Sequence, residues 1–193
     1  AFAHSIKHCN HSELIAVFGR NKETLQTFSQ KFDVAGINEI DELVALNAVD
    51  AIYIATPHSS HFEYALLAIK NNKHVLCEKP IAMNHIESMV LFGLAKDCGV
   101  FLMEAYMYRT HPQTFNILKN IESLCGTNEK VEINSSFGFH AKIPKDHRLR
   151  NPMLGGGAIM DVGCYPLSMS KLLAGHILNK PYVGSLNRRL KKR

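Results

Sequence analysis

Among the side chains of the types that move protons and hold oxygen anions, three stand out by their positions: Lys79, Asp161 and Tyr165. Lys79 follows the apolar run Val75-Leu76-Cys77 within Glu78-Lys79-Pro80, where the proline fixes φ and removes a backbone donor just as a strand must stop. Asp161 and Tyr165 stand four apart in an apolar-periodic stretch, the spacing that projects two side chains from one helical face a turn apart. A carboxylate there can accept a hydrogen bond from a substrate or orient a neighbour. A phenol, with an ordinary pKa of ~10, becomes useful as a proton-transfer group when an ammonium such as that of Lys79 stabilises its phenolate. The bland alternatives are a surface lysine and a half-buried tyrosine that uses its hydroxyl as a structural handle.

The flanking sequence says what must position these groups. Asp50–Ala55 and Val75–Cys77 are apolar runs, and His58–Lys70 between them has helical spacing. That is a βαβ unit, which makes the two strands adjacent and parallel with both carboxyl ends at one edge. Ligands of open α/β sheets sit at that edge, so Lys79 is expected to face one. Thr56-Pro57-His58-Ser59-Ser60-His61 opens the intervening helix, and its leading amides are available to a ligand. His58 and His61 lie three apart, but a metal would need a further ligand, and no metal is expected. Upstream, Glu13–Phe18 reads as a strand that ends at Gly19, Arg20, Asn21 and Lys22, and Asp41–Leu46 as a short helix with an acidic start. Downstream, Asn84 with Glu87 forms a capping box for a helix to about Cys98, Gly99 ends it, and Val100–Glu104 is a strand. A helix through about Ile121 follows. Lys130–Phe139 alternates and reads as a strand, and Pro181–Leu186 as at most one more. Gly155-Gly156-Gly157 precedes a helix expected over Ala158–Ala174, with Gly175 as its C′ residue and the glycines letting a ligand approach the backbone.

Four motifs taken in order resemble the Gfo/Idh/MocA oxidoreductase family: Ala55-Thr56-Pro57, Glu78-Lys79-Pro80, Glu104 to Pro112 and Gly155 to Pro166. Within it they are most similar to the branch of the trans-dihydrodiol and NADP-dependent xylose dehydrogenases. The resemblance covers nearly the whole chain. It implies an α/β fold, with a partial Rossmann-like NAD(P)-binding domain over 1–108 and a partial open-sheet substrate and dimerisation domain over 109–193. It implies hydride transfer between NADP, or less readily NAD, and a carbinol of a sugar or cyclic diol. Lys79 and Tyr165 would be catalytic together with Asp161. Thr56, Pro57, His58, His61, Glu78, Lys79 and Pro80 would bind the cofactor, with His61 lining its site. Arg20 and Lys22 favour NADP, since an arginine beside that strand end suits a 2′-phosphate where an acid would suit a ribose hydroxyl. Arg109 is expected to pair with Glu104 or with phosphate. Family members open with a strand and a Gly-x-Gly turn, so this chain is expected to begin inside the first helix and to lack the first strand of its sheet. A second reading follows, a non-catalytic remnant that binds dinucleotide weakly or not at all.

Composition narrows the partners. The formal charge is +5, but Arg188, Arg189, Lys191, Lys192 and Arg193 carry it; without them 17 basic residues face 17 acidic ones, which disfavours a nucleic-acid surface. No apolar run approaches the ~20 residues of a membrane span. Cys9, Cys77, Cys98, Cys125 and Cys164 are odd in number, show no C-x-x-C spacing and suit a reducing cytoplasm. A homo-oligomer is expected where the second domain's sheet is complete.

Overall fold

The computed structural model describes residues 2–125 and 132–178. Its regular elements are α1 (Phe2–Ile6), β1 (Ala16–Phe18), α2 (Lys22–Phe32), β2 (Ala35–Ile37), α3 (Ile40–Ala45), β3 (Ala51–Ile54), α4 (His61–Lys70), β4 (His74–Cys77), α5 (His85–Asp97), β5 (Leu102–Glu104), α6 (Pro112–Cys125) and α7 (Cys164–Leu178). The chain divides into two compact units, the first ending at Ala105 and the second beginning at Tyr106.

The first unit is built on the predicted βαβ crossover. β3, β4 and β5 form one parallel ladder in that order, with Ile52 opposite Val75 and Ile54 opposite Cys77. All four of those side chains are buried, which fixes the register, because a slip of one residue would turn them outward. α4 returns the chain across the ladder and buries Ala65, Ala68 and Ile69 against it, along with Leu91 and Ala95 of α5. Fully burying a side chain such as Ile69 contributes ~1.5–3 kcal/mol. The ends of α5 are as expected. Asn84 Oδ1 accepts from the Glu87 N–H at 3.0 Å, and the Glu87 carboxylate accepts from the Asn84 amide and the Met83 N–H. Gly99 follows at φ 67°. Lys73, buried in the turn before β4, donates to the carbonyls of Leu46 and Val49 at 2.7 Å each and closes the loop that follows α3.

The parallel strands form two ladders among the described residues: β1 pairs with β2, apart from the β3-β4-β5 ladder. β2 itself, Ala35-Gly36-Ile37, carries no strand signal and exists because β1 pairs with it.

The second unit departs further. Residues 132–144 form no strand, so the described part of Lys130–Phe139 joins no ladder among the described residues, and alternation alone does not make a strand. Among the described residues this unit holds helices and turns, not the expected open sheet. Pro181–Leu186 and the basic tail lie outside the described residues. The expected helix over Ala158–Ala174 begins instead as a π turn, Ile159–Gly163, and continues as α7 through Gly175 to Leu178, so Gly175 does not end it. Pro166 lies in the first turn of α7 and lacks the N–H that an α-helical bond back to Val162 would need. No helix among the described residues is long and apolar enough to cross a membrane.

Candidate functional site

In the first unit the loop after β4 is stitched to all three strand ends. The Glu78 N–H donates to Ile54 O at 2.9 Å, the Ala105 N–H donates to Cys77 O at 2.7 Å, and the Ile81 N–H donates to Glu104 Oε1 at 2.9 Å. The Tyr53 hydroxyl donates to Glu78 Oε1 at 2.6 Å, and Glu78 Oε2 accepts from the Lys79 N–H at 3.3 Å. Phe2 stacks on the Tyr53 ring at 3.9 Å. Lys79 is thus the second residue past β4, in a loop braced from β3 and β5, and its bond to Pro80 is cis. Burial, then the Glu78 carboxylate, pushes the Tyr53 phenol well above its usual range. Burial pushes the Cys77 thiol up to about 12, helped by Glu104 and Glu78.

The residues at the start of α4 are part of the same edge. The Ser60 hydroxyl lies 3.0 Å from Thr56 Oγ1 and 2.9 Å from Pro57 O. His58 and His61 are buried, at 5 % and 0 % exposure. The His61 ring contacts the backbone on both sides, with Nδ1 2.8 Å from Pro80 O and Nε2 2.8 Å from Thr56 O. Past β1, Arg20 and Lys22 are exposed, and Asn21 caps α2 by accepting from the Thr24 N–H at 2.9 Å. Among the described residues no cluster of three His, Cys, Asp or Glu side chains is placed to hold a metal ion.

In the second unit Tyr165 is enclosed by other rings. Tyr106 and Phe137 meet it edge-on at 5.5 and 5.3 Å, and Tyr108 lies tilted at 6.4 Å. The Tyr108 hydroxyl donates to Ser168 Oγ at 2.7 Å, one turn along α7 from Tyr165. Arg109, expected to pair with an acid or a phosphate, donates to the same Ser168 oxygen at 3.4 Å. Asp161 belongs to the π turn and its N–H donates to Gly157 O at 3.1 Å, so it and Tyr165 are not on one regular α-helical face. The three glycines divide their work. A Cβ on Gly156 would lie 2.7–2.8 Å from backbone atoms of Arg148 and Asn151, so this glycine serves chain packing. Gly157 has φ 113° with nothing within 4 Å of its missing Cβ, so the open approach is there.

Tyr53, Tyr106, Tyr108, Phe137 and Ser168 have no role in the sequence reading, and Glu104 has one only as a partner for Arg109. Ser168 is three residues past Tyr165, a helical spacing that could have flagged it. Tyr53 alternates inside β3, and nothing local marks it as the partner of Glu78.

A parallel β-α-β edge whose post-strand loop carries a lysine, beside a second parallel pair ending in exposed cations, places the first unit in the nucleotide-binding α/β class. Residues 1–106 match the GFO_IDH_MocA oxidoreductase family with its NAD-binding Rossmann fold, and the chain belongs to that family. It is 33% identical over 164 residues to D-xylose 1-dehydrogenase (NADP(+)) 2 of Haloferax volcanii, covering 84% of this chain and 50% of that protein. It is 32% identical over 154 residues to trans-1,2-dihydrobenzene-1,2-diol dehydrogenase of Xenopus tropicalis, covering 79% and 46%. The crystal structure of KijD10, a 3-ketoreductase from Actinomadura kijaniata with NADP and TDP-benzene, superimposes with a TM-score of 0.77 at 26% identity, over 89% of this chain and 52% of that one. The chain spans about half the length of the curated relatives it matches.

Proposed function

We propose that the protein carrying this chain transfers a hydride between NADP and a carbinol of a sugar or cyclic diol. The observation that carries the reading is the place of Lys79, in a braced loop at the carboxyl edge of the β3-β4-β5 ladder. That is the edge where open α/β sheets take their ligands. The donor set of the first unit fits a dinucleotide: exposed Arg20 and Lys22 follow β1 with no acid among Gly19 to Lys22, as suits a 2′-phosphate. Thr56, Pro57 and the turn they open would face its nicotinamide half. Bound NADP supplies the hydride chemistry. The chain's own groups bind, orient and move protons. Lys79 holds the substrate oxygen, Tyr165 takes the hydroxyl proton on oxidation and returns it on reduction, and Asp161 accepts from a substrate hydroxyl. Relatives that act on xylose and on a dihydrodiol support the substrate class.

The test is turnover of a panel of aldoses and cyclic diols by the intact protein with NADP and with NAD. NADP-linked oxidation of either class supports the reading; turnover of neither, or preference for NAD, overturns it. In the same protein Arg20→Ala should lose most of its preference for NADP, because a charge-assisted bond to phosphate contributes ~1.5–3 kcal/mol. A reducing cytoplasm suits the free thiols of Cys9, Cys77, Cys98 and Cys164, and a homo-oligomer is part of this proposal. The separation of the β1-β2 pair from the β3-β4-β5 ladder favours a second reading for the chain on its own, as a weak dinucleotide binder. Titration of the 193-residue chain with NADPH distinguishes the two.

A further inference from the structure

His61 is the one histidine among the described residues with no exposed surface, and the chemistry above makes no use of it. Its ring lies between two carbonyls, Thr56 O from the loop after β3 and Pro80 O from the loop after β4, each at 2.8 Å. A carbonyl oxygen only accepts, whereas a neutral imidazole has one donor nitrogen and one acceptor nitrogen. Either neutral tautomer would therefore hold a nitrogen lone pair against a carbonyl lone pair in the protein interior. The ring with a proton on both nitrogens satisfies both carbonyls.

We propose that His61 is a doubly donating clamp that sets the spacing between the loops after β3 and β4, and so is a positioning residue for Lys79. The two carbonyls flank the edge that matters: Thr56 is two residues past β3, and Pro80 adjoins Lys79. Hydrogen bonds from a charged donor are about twice as strong as neutral ones, which suits a brace between two loops that carry no regular pairing of their own. The titratable and charged groups around the ring are of both signs. His58 meets it edge-on at 5.6 Å, Lys79 directly precedes Pro80 with Glu78 one residue before that, and Glu104 takes the Ile81 N–H beyond. An amide side chain such as Gln can serve one carbonyl but not span both.

The clamp stands independently of the proposed activity, while its effect on turnover rests on the role given to Lys79. In the labelled 193-residue chain near neutral pH, NMR should find a proton on both ring nitrogens of His61. Couplings across the hydrogen bonds should reach the carbonyl carbons of both Thr56 and Pro80. A ring with one bare nitrogen, or coupling to one carbonyl only, overturns the proposal, and this arm needs no variant. In His61→Gln, amide exchange at Glu78 and Ile81 should rise about 10- to 100-fold, the loss of one bond from a charged donor. Amides of α2 should be unchanged. Equal protection at Glu78 and Ile81, or uniform loss everywhere, counts against positioning. In the intact enzyme His61→Gln should lower kcat by up to ~10²-fold, as a displacement of about 1 Å does, with KM for NADP nearly constant. If Lys79→Met leaves turnover intact, the reading of the activity fails and the NMR result still decides the clamp. If Lys79→Met is inactive and His61→Gln turns over normally, positioning is overturned.

Discussion

The strand-end edge of the first unit and the glycine-led start of α7 in the second hold their candidate residues by different means. Around Lys79 the constraints are directional: Tyr53 on Glu78, Glu104 on Ile81, and His61 on Thr56 and Pro80. Around Tyr165 they are ring faces and edges from Tyr106, Tyr108 and Phe137, with a tightly packed glycine at the start of the turn. Directional bonds fix where a side chain points, and removing one partner shifts the loop. Ring packing fixes where a side chain sits and is indifferent to a lost hydroxyl. A residue of the second kind can thus be stripped of its chemistry with its position intact.

That difference is tested most strongly by Tyr165→Phe in the intact enzyme. On the proposed chemistry it should lower kcat by ~10²–10⁴ with cofactor affinity nearly unchanged, because the ring keeps its neighbours and only the hydroxyl is lost. Lys79→Met should lower it at least as far. Near-full turnover by Tyr165→Phe on every sugar and diol would make Tyr165 a packing residue. Next in size, Gly156→Ala should cost ~1–3 kcal/mol by urea unfolding, since its Cβ would collide with backbone at Arg148 and Asn151. Gly157→Ala faces open space, so its cost should come from backbone strain at φ 113° alone, ~1–3 kcal/mol. Asn84→Ala should cost ~1 kcal/mol, measured the same way, because the Glu87 N–H loses its cap. The last effect is absent at neutral pH. Cys77 and Tyr53 have raised values in the folded state, so the unfolded chain ionises first. Their stabilising contribution is whole below about pH 9 and drains away as pH climbs toward 12. Melting temperature should fall over that window, and less steeply in Cys77→Ala.

Much of the first unit was legible because its signals are local. The apolar runs at Ile52 and Val75, the capping box at Asn84 and the glycine at position 99 each act within a few residues, and the crossover rule turns them into a parallel ladder. β2 was not legible, since Ala35-Gly36-Ile37 becomes a strand only through pairing with β1. Lys130–Phe139 failed in the opposite sense: its alternation is real, but among the described residues nothing pairs with it. Lys79 and Tyr165 were marked as candidates by motifs. The bracing groups could not be, because Tyr53 and Glu78 stand 25 residues apart and His61 and Pro80 stand 19 apart. Gly156 was misread because a glycine demanded by packing and one demanded by a ligand look the same in sequence.

The Tyr53–Glu78 bond has an optical consequence. The chain has six tyrosines, ten phenylalanines and no tryptophan, so excitation to the red of the phenylalanine band leaves its phenol rings as the intrinsic emitters. A phenol that donates to a carboxylate can hand over its proton on excitation and be quenched, so Tyr53 should be dark while it donates to Glu78 and should brighten when Glu78 lets go. Opening of the edge that carries Lys79 can thus be followed as light, with no label attached and with Tyr53→Phe as the blank.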